Sequence, residues 1–201
     1  MKPTTQTRRG RMQLIVVATL CFLPFIGAIV VTQYFPDWSP FGTANHGRLI
    51  SPIVSVGVDG LASIDGKAAS ERTLQGKWSL ILFSPGPCIE RCLEQLAETA
   101  EMQLLLNKDG GRLQRILVVP DNLAVSLSQS EVLATHINLQ LMTASPSWRE
   151  RFSIAGDQPE RSKRVYLVDP QGFLMMFYAS DAAPRLMLKD FKRLLKTSRL
   201  G

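Results

Sequence analysis

The chain is poor in the residues from which disulfide scaffolds and multi-ligand metal centres are built, with three cysteines and two histidines in 201 residues. Cys21 lies in an apolar run, where it reads most simply as a small apolar side chain. That leaves Cys88 and Cys92 as the pair in the remainder of the sequence. A single pair cannot build a multi-bridge scaffold, and two thiols alone cannot complete a structural zinc site. The sequence also lacks a basic patch interleaved with stacking aromatics, and it lacks zinc-finger spacing, so the net charge of +6 does not point to nucleic acid. Much of the excess charge stands at the two ends. Lys2, Arg8, Arg9 and Arg11 lie at one, and Arg185, Lys189, Lys192, Arg193, Lys196 and Arg199 at the other. These read as topology signals and as the solvated face of a helix. Internal repeats and low-complexity tracts are absent too, and the length suits one anchor plus one compact domain.

What is present begins with Leu14 to Val31, 18 residues without a charge, at the lower bound for a membrane-spanning helix. Basic residues precede this run, which predicts a cytoplasmic N-terminus, and Tyr34, Phe35 and Trp38 follow it at the expected depth of the far interface. Pro24 within the run is tolerable in a membrane helix. The rival reading is a cleaved signal peptide. The run is longer than a usual signal core, however, and no small-x-small cleavage site follows it, so an uncleaved single-pass anchor is expected. The expected organisation is a cytoplasmic basic tail over 1–12, an anchor over 13–33, a linker over 34–50 carrying Pro36, Pro40 and Gly42, and a domain over 51–198. The domain then faces the periplasm or an equivalent compartment, where disulfides form.

Within the domain, Ile53 to Val58 is short and β-branched, Asp59-Gly60 signals a turn, and Leu61 to Ile64 is an expected hairpin partner. Trp78 to Phe83 reads as a strand buried on both faces. Ser84-Pro-Gly-Pro87 breaks it. Apolar residues at 89, 92, 93, 96, 97, 100 and 104 then predict a helix over Ile89 to Leu106, stopped by Asn107 to Gly111. Leu113 to Val119 is a second buried strand. Residues 122–136 are Ser-rich and ambiguous, with room for one helix. Leu139 to Met142 reads as a short strand, and Ser145-Pro146 as a helix start running to about Phe152. A polar loop is expected over 155–164. Val165 to Val168 and Phe173 to Tyr178 form a hairpin around the Asp169-Pro-Gln-Gly172 turn. Pro184, Leu188, Phe191, Leu194 and Leu195 mark a closing amphipathic helix. Strands alternating with helices give an α/β architecture with a right-handed βαβ crossover from 78–83 to 113–119. The terminal hairpin and helix are what the thioredoxin fold adds to it, a central mixed sheet flanked by helices.

Cys88 and Cys92 stand at the junction of a buried strand and a helix. Free N–H groups and the positive end of a helix favour a thiolate over a thiol. The thiolate is both the nucleophile of disulfide exchange and the form that holds a soft metal. Arg91 places a positive charge between the two sulfurs, offset in part by Glu90. One helical turn between the cysteines puts their Cα atoms near the ~6 Å that a disulfide tolerates. A structural staple is the plain alternative, but closing so small a loop removes little chain entropy. The placement favours a working dithiol, with either cysteine as the attacking sulfur and the other resolving.

The run Gly76-Lys-Trp-Ser-Leu-Ile-Leu-Phe83, the spacing Cys88-Ile-Glu-Arg-Cys92 and the hairpin Val165-Tyr-Leu-Val-Asp-Pro-Gln-Gly172 resemble the Sco/SenC family over about residues 50 to 196. The lead-in Asn45-His-Gly-Arg-Leu-Ile-Ser-Pro52 looks like that of small membrane proteins of cytochrome oxidase assembly. The resemblance implies a thioredoxin-like protein anchored in the inner (cytoplasmic) membrane that serves the copper site of cytochrome c oxidase. Copper would be held by Cys88 and Cys92, and the partners would be oxidase subunits or other assembly factors. Two positions depart from the family pattern. Leu93 follows the second cysteine where the family has proline, and Arg161 stands where the family's copper-ligating histidine would, with a guanidinium that cannot ligate. His46, His136, Met175 and Met176 are the candidate substitutes, read as solvated histidines and as hairpin methionines of which at least one packs in the core. Three functions compete: a thiol–disulfide oxidoreductase, a copper chaperone, and a non-catalytic docking factor with a structural disulfide. Peroxidase chemistry is a distant fourth.

Overall fold

The computed structural model describes residues 5–34, 45–123, 136, 138–154 and 156–198. It divides into a unit that carries the N-terminal helix and a second unit that starts at Asn45. In the first, helix α1 spans Thr5–Tyr34, and its Gly10–Tyr34 stretch of 25 residues is long and apolar enough to cross a membrane. At 1.5 Å per residue it is about 37 Å long, against a hydrocarbon core of about 30 Å. The Thr19 and Thr32 hydroxyls donate to the Ile15 and Ala28 carbonyls one turn back, so neither presents an unpaired donor to lipid.

The second unit is built on a seven-stranded sheet. Its strands are β1 Arg48–Ser55, β2 Leu61–Ser63, β3 Trp78–Phe83, β4 Leu113–Val119, β5 Leu139–Ala144, β6 Val165–Val168 and β7 Phe173–Tyr178. Their order across the sheet is β1-β7-β6-β3-β4-β5-β2. The helices are α2 Arg91–Leu105, α3 Pro146–Glu150, α4 Pro159–Ser162 and α5 Pro184–Thr197. β3, β4 and β5 run parallel, while β6 is antiparallel to β3 and to β7. All residues of β3, β4 and β6 are buried, as expected of largely apolar strands covered on both faces, with Ser79, Gln114 and Arg115 as the buried polar exceptions. On one face Leu80, Leu82, Leu117, Leu167 and Met176 pack under Leu96 and Met102 of α2 and Met187 and Phe191 of α5. On the other face Phe83, Trp148, Phe152 and Tyr166 form an aromatic cluster with centroid separations from 4.8 to 6.1 Å. Ser145 caps α3 by accepting from the Trp148 amide at 3.3 Å. Mixed sheet and flanking helices together are the expected thioredoxin-like architecture.

Three local expectations are corrected, and a fourth lies outside the described residues. The Asp59-Gly60 turn forms, with the Leu61 N–H bonded to the Val58 carbonyl at 2.9 Å, but its flanking strands do not pair with each other. β1 joins β7 and β2 joins β5, at opposite edges of the sheet. Without the N-terminal segment both β7 and β5 would present an open row of backbone groups, and a short isolated hairpin is marginal, so each strand goes to the edge that needs it. Part of the expected linker belongs to the domain, since residues 45–50 are described and β1 begins at Arg48, whereas 35–44 lie outside the described residues. The ambiguous stretch 122–136 is described only at residues 122, 123 and 136, and its possible helix lies outside the described residues. Finally, the polar loop 155–164 contains α4, with Pro159 at the first helical position, where its missing N–H has no consequence.

Candidate functional site

β3 ends at Phe83, and Ser84 extends its pairing for one more residue through its N–H to the Val118 carbonyl at 2.9 Å. The Ser84 hydroxyl then donates to the Gly86 carbonyl at 2.7 Å and fixes the Pro-Gly-Pro turn that leads into Cys88. Cys88 and Cys92 are joined in a disulfide with their Cα atoms 5.2 Å apart. Both are half-buried and rest against the core face that carries α2 and α5. The expected pair is therefore brought together at the mouth of the helix. Its setting differs from one helical turn, because α2 begins at Arg91, so Cys92 lies in its first turn and Cys88 in the loop before it. Between them the Ile89 carbonyl accepts the Cys92 N–H at 3.0 Å, and Glu90 adopts φ 42° and ψ −110°. Ile89 projects from this small ring, 64% exposed.

Arg91 does not place its charge between the sulfurs. Its guanidinium donates to Glu98 at 3.0 Å, to Glu94 at 3.2 Å and to the Ser180 carbonyl in the loop before α5. Burial opposes the charge, but the bonds to Glu98 and Glu94 outweigh it and raise the pKa above the ordinary arginine value. Arg161 lies exposed on α4, on a groove of about 890 Å³ that it shares with Pro85, Asp121, Arg149 and Glu160 and that Cys88 and Cys92 do not line. Arg149 and Glu160 pair across that groove at 3.1 Å.

The other candidate ligands are dispersed. Met176 is fully buried in the core and Met175 packs against it. His136 is half-buried, and burial together with the nearby Arg115 charge lowers its pKa. Among the described residues no group of three or more His, Cys, Asp or Glu stands together as a metal-binding set.

His46 is exposed, as expected of a solvated histidine, but it belongs to the domain and not to a free linker. Its Nδ1 meets Asp190 Oδ1 at 2.9 Å, and its backbone N–H and that of Gly47 donate to Asp190 Oδ2 at 2.7 and 2.9 Å. The Tyr178 hydroxyl points at the same carboxylate at 3.4 Å, and burial and the carboxylate hold that phenol well above its usual pKa. Asp190 is fully buried. This clasp escaped the sequence reading. The signal was an acid on the apolar stripe of the last helix, three residues after Met187 and next to Phe191.

Residues 78–198 match the family described as the transmembrane-like, thioredoxin-like C-terminal domain. No curated protein sequence matches the chain. Among solved structures, copper-bound yeast Sco1 is similar with a TM-score of 0.57 and 20% identity, over 69% of this chain and 90% of that one. Copper-bound ScoI of Bradyrhizobium japonicum gives 0.51 and 20%, over 67% and 95%. BsSco, described as a Sco-family cytochrome c oxidase assembly protein with a disulfide switch, gives 0.51 and 20%, over 69% and 92%. At such identities the likeness is one of fold, and it agrees with the layout on which the Sco/SenC resemblance rests.

Proposed function

The chain belongs to the family defined by the transmembrane-like, thioredoxin-like C-terminal domain, and from that premise we propose that it is a membrane-anchored thiol protein whose Cys88–Cys92 pair cycles between disulfide and dithiol in cytochrome c oxidase assembly. The observation that supports this reading is the bonded, half-buried pair at the junction of β3 and α2. In the reducing direction a partner thiolate attacks one sulfur of the bridge and the other leaves as a thiolate at the helix mouth. The partner's second thiol then displaces the mixed disulfide. Two electrons pass to this chain, two protons complete its thiols, and the partner is left with a disulfide. Arg8, Arg9 and Arg11, before the apolar span, favour an inner-membrane orientation with the N-terminus in the cytoplasm and the domain in the periplasm. Titration against glutathione buffers tests the couple. Reversible conversion of the pair is expected, and a pair locked in one state from strongly reducing to oxidising buffer ends the idea.

Copper is the second reading, as cargo rather than as a resident cofactor, and it is favoured by the copper in the yeast and Bradyrhizobium structures. Opening the bridge would free two thiolates, Cys88 and Cys92, which suit Cu(I). A third donor is harder to supply. Arg161 holds the position of the expected histidine, His46 is engaged by Asp190, and Met176 is locked in the core. Redox exchange therefore ranks first. Anaerobic Cu(I) titration against a competing chelator separates the two, since a chaperone shows stoichiometric binding that disappears in Cys88→Ser. A docking factor with a merely structural bridge would let cells assemble active oxidase with both cysteines replaced by serine.

A further inference from the structure

The disulfide closes a ring of five residues, Cys88-Ile-Glu-Arg-Cys92, and the backbone inside it is unusual. The Cys92 N–H to Ile89 carbonyl bond of 3.0 Å defines a β-turn with Glu90 and Arg91 at its centre. Glu90, at φ 42° and ψ −110°, has the first-centre geometry of a type II′ turn, a position that glycine fills without penalty and that a Cβ opposes. The other non-glycine residues described with positive φ are of more tolerant kinds. Asn107 and Asn138 are asparagines, and Lys163, at φ 49° and ψ 30°, lies in the ordinary left-handed well. The Glu90 side chain offers no compensation as a helix cap, because it makes no cap hydrogen bond. Meanwhile the apolar spacing calls for a helix already from Ile89, with Pro87 suited to a first turn. The ring thus holds α2 two residues short of where the sequence would start it.

We propose that Glu90 is a positioning residue that tunes the Cys88–Cys92 couple. The ring imposes the strained turn, and opening it lets residues 89 and 90 join α2, so the strain shifts the equilibrium toward the dithiol. The inference rests on the reversible couple proposed above. Reduction takes two electrons and two protons from a dithiol such as dithiothreitol, breaks the S–S bond and leaves the reductant as its own disulfide. It is during this step that Glu90 is released.

The test uses the full chain in detergent and two variants. Glu90→Gly relieves the turn, whereas Glu90→Ala removes the carboxylate but keeps the Cβ. In glutathione titrations Glu90→Gly is expected to move the equilibrium about tenfold toward the disulfide, equivalent to about 30 mV, while Glu90→Ala stays within about threefold of the parent, below the tenfold that 30 mV represents. No shift in Glu90→Gly, or equal shifts in both variants, would overturn the proposal, the second by assigning the effect to charge. Thermal melts provide the arm that does not depend on a reversible couple. Glu90→Gly should raise the melting temperature of the oxidised chain and not that of a Cys88→Ser, Cys92→Ser background. A rise of equal size in both, or none in the oxidised chain, overturns the strain. A parent pair that fails to titrate while the melts behave as expected defeats the redox reading and leaves the strained turn standing.

Discussion

The ring at 88–92 and the clasp at His46 and Asp190 each carry a costly feature, a strained backbone in one and a buried carboxylate in the other, and these are handled in opposite ways. In the clasp, a fully buried carboxylate receives two backbone N–H groups, an imidazole nitrogen and a phenol. Its demands are met by fixed partners from the start of the domain and from β7, so it fastens the first residues of the domain to α5, the last helix. In the ring, a residue with a Cβ occupies a glycine's backbone geometry, an isoleucine faces solvent, and the sulfurs are only half covered. Local rules are satisfied where the fold is held and violated where chemistry is proposed, as expected when strain is kept at working sites and supported by a rigid surround.

The contrast can be broken most decisively at the cysteines. Cys88→Ser or Cys92→Ser should abolish thiol–disulfide exchange, measured against glutathione, while stability falls by no more than about 2 kcal/mol, the chain-entropy figure for so small a loop. Asp190→Ala should do the reverse. It leaves buried donors without an acceptor and should destabilise the domain by about 3 kcal/mol in urea unfolding, with little change in the redox equilibrium. If it shifted that equilibrium tenfold, the two regions would not be separate devices. Gly47→Ala tests the same clasp through packing. A Cβ there would stand 2.8 Å from Met176 Sδ and from the Tyr178 ring, both in the core. A loss of about 1–3 kcal/mol is expected from such overpacking. The smallest effect is a pH dependence outside both regions. Burial and then the Arg115 charge hold His136 below its ordinary 6.5, so the unfolded chain takes up the proton first. Its contribution to stability is present above pH 6.5 and is lost as the pH falls from there through the lowered pKa of the folded state. Urea unfolding at pH 7 and pH 5 should show a shallower fall for His136→Gln.

The central strands were legible because β3, β4 and β6 are buried on both faces and are dominated by apolar residues, interrupted only by Ser79, Gln114 and Arg115; Trp78, Leu113 and Val165 open the structural strands where the pattern placed them. The amphipathic α2 and α5 were equally plain. The partners of β1 and β2 were not, since a turn signal such as Asp59-Gly60 reports that the chain reverses and not which edge it then reaches. The cysteine pair was legible from its place between a strand and a helix. The direction of Arg91 was legible only in part, because Glu94 and Glu98 follow it on the same helix but its third partner, the Ser180 carbonyl, lies 89 positions away in the chain. His46 and Asp190, 144 positions apart, were invisible for the same reason, as separations of this size carry no local periodicity.

β1 closes one side of the sheet with Leu49 and Ile53 largely exposed, 51% and 65%. An outermost strand with apolar side chains and unused amides is the surface on which stray chains add and fibrils grow. Here the strand pairs with β7 in two separate patches, with its register broken between Leu49 and Val54, and Pro52 within that gap has no amide to offer. An incoming strand would meet an interrupted template and would find no continuous ladder to copy. The same interruption that spoils the regularity of β1 therefore guards the domain's solubility while it is crowded beside its neighbours.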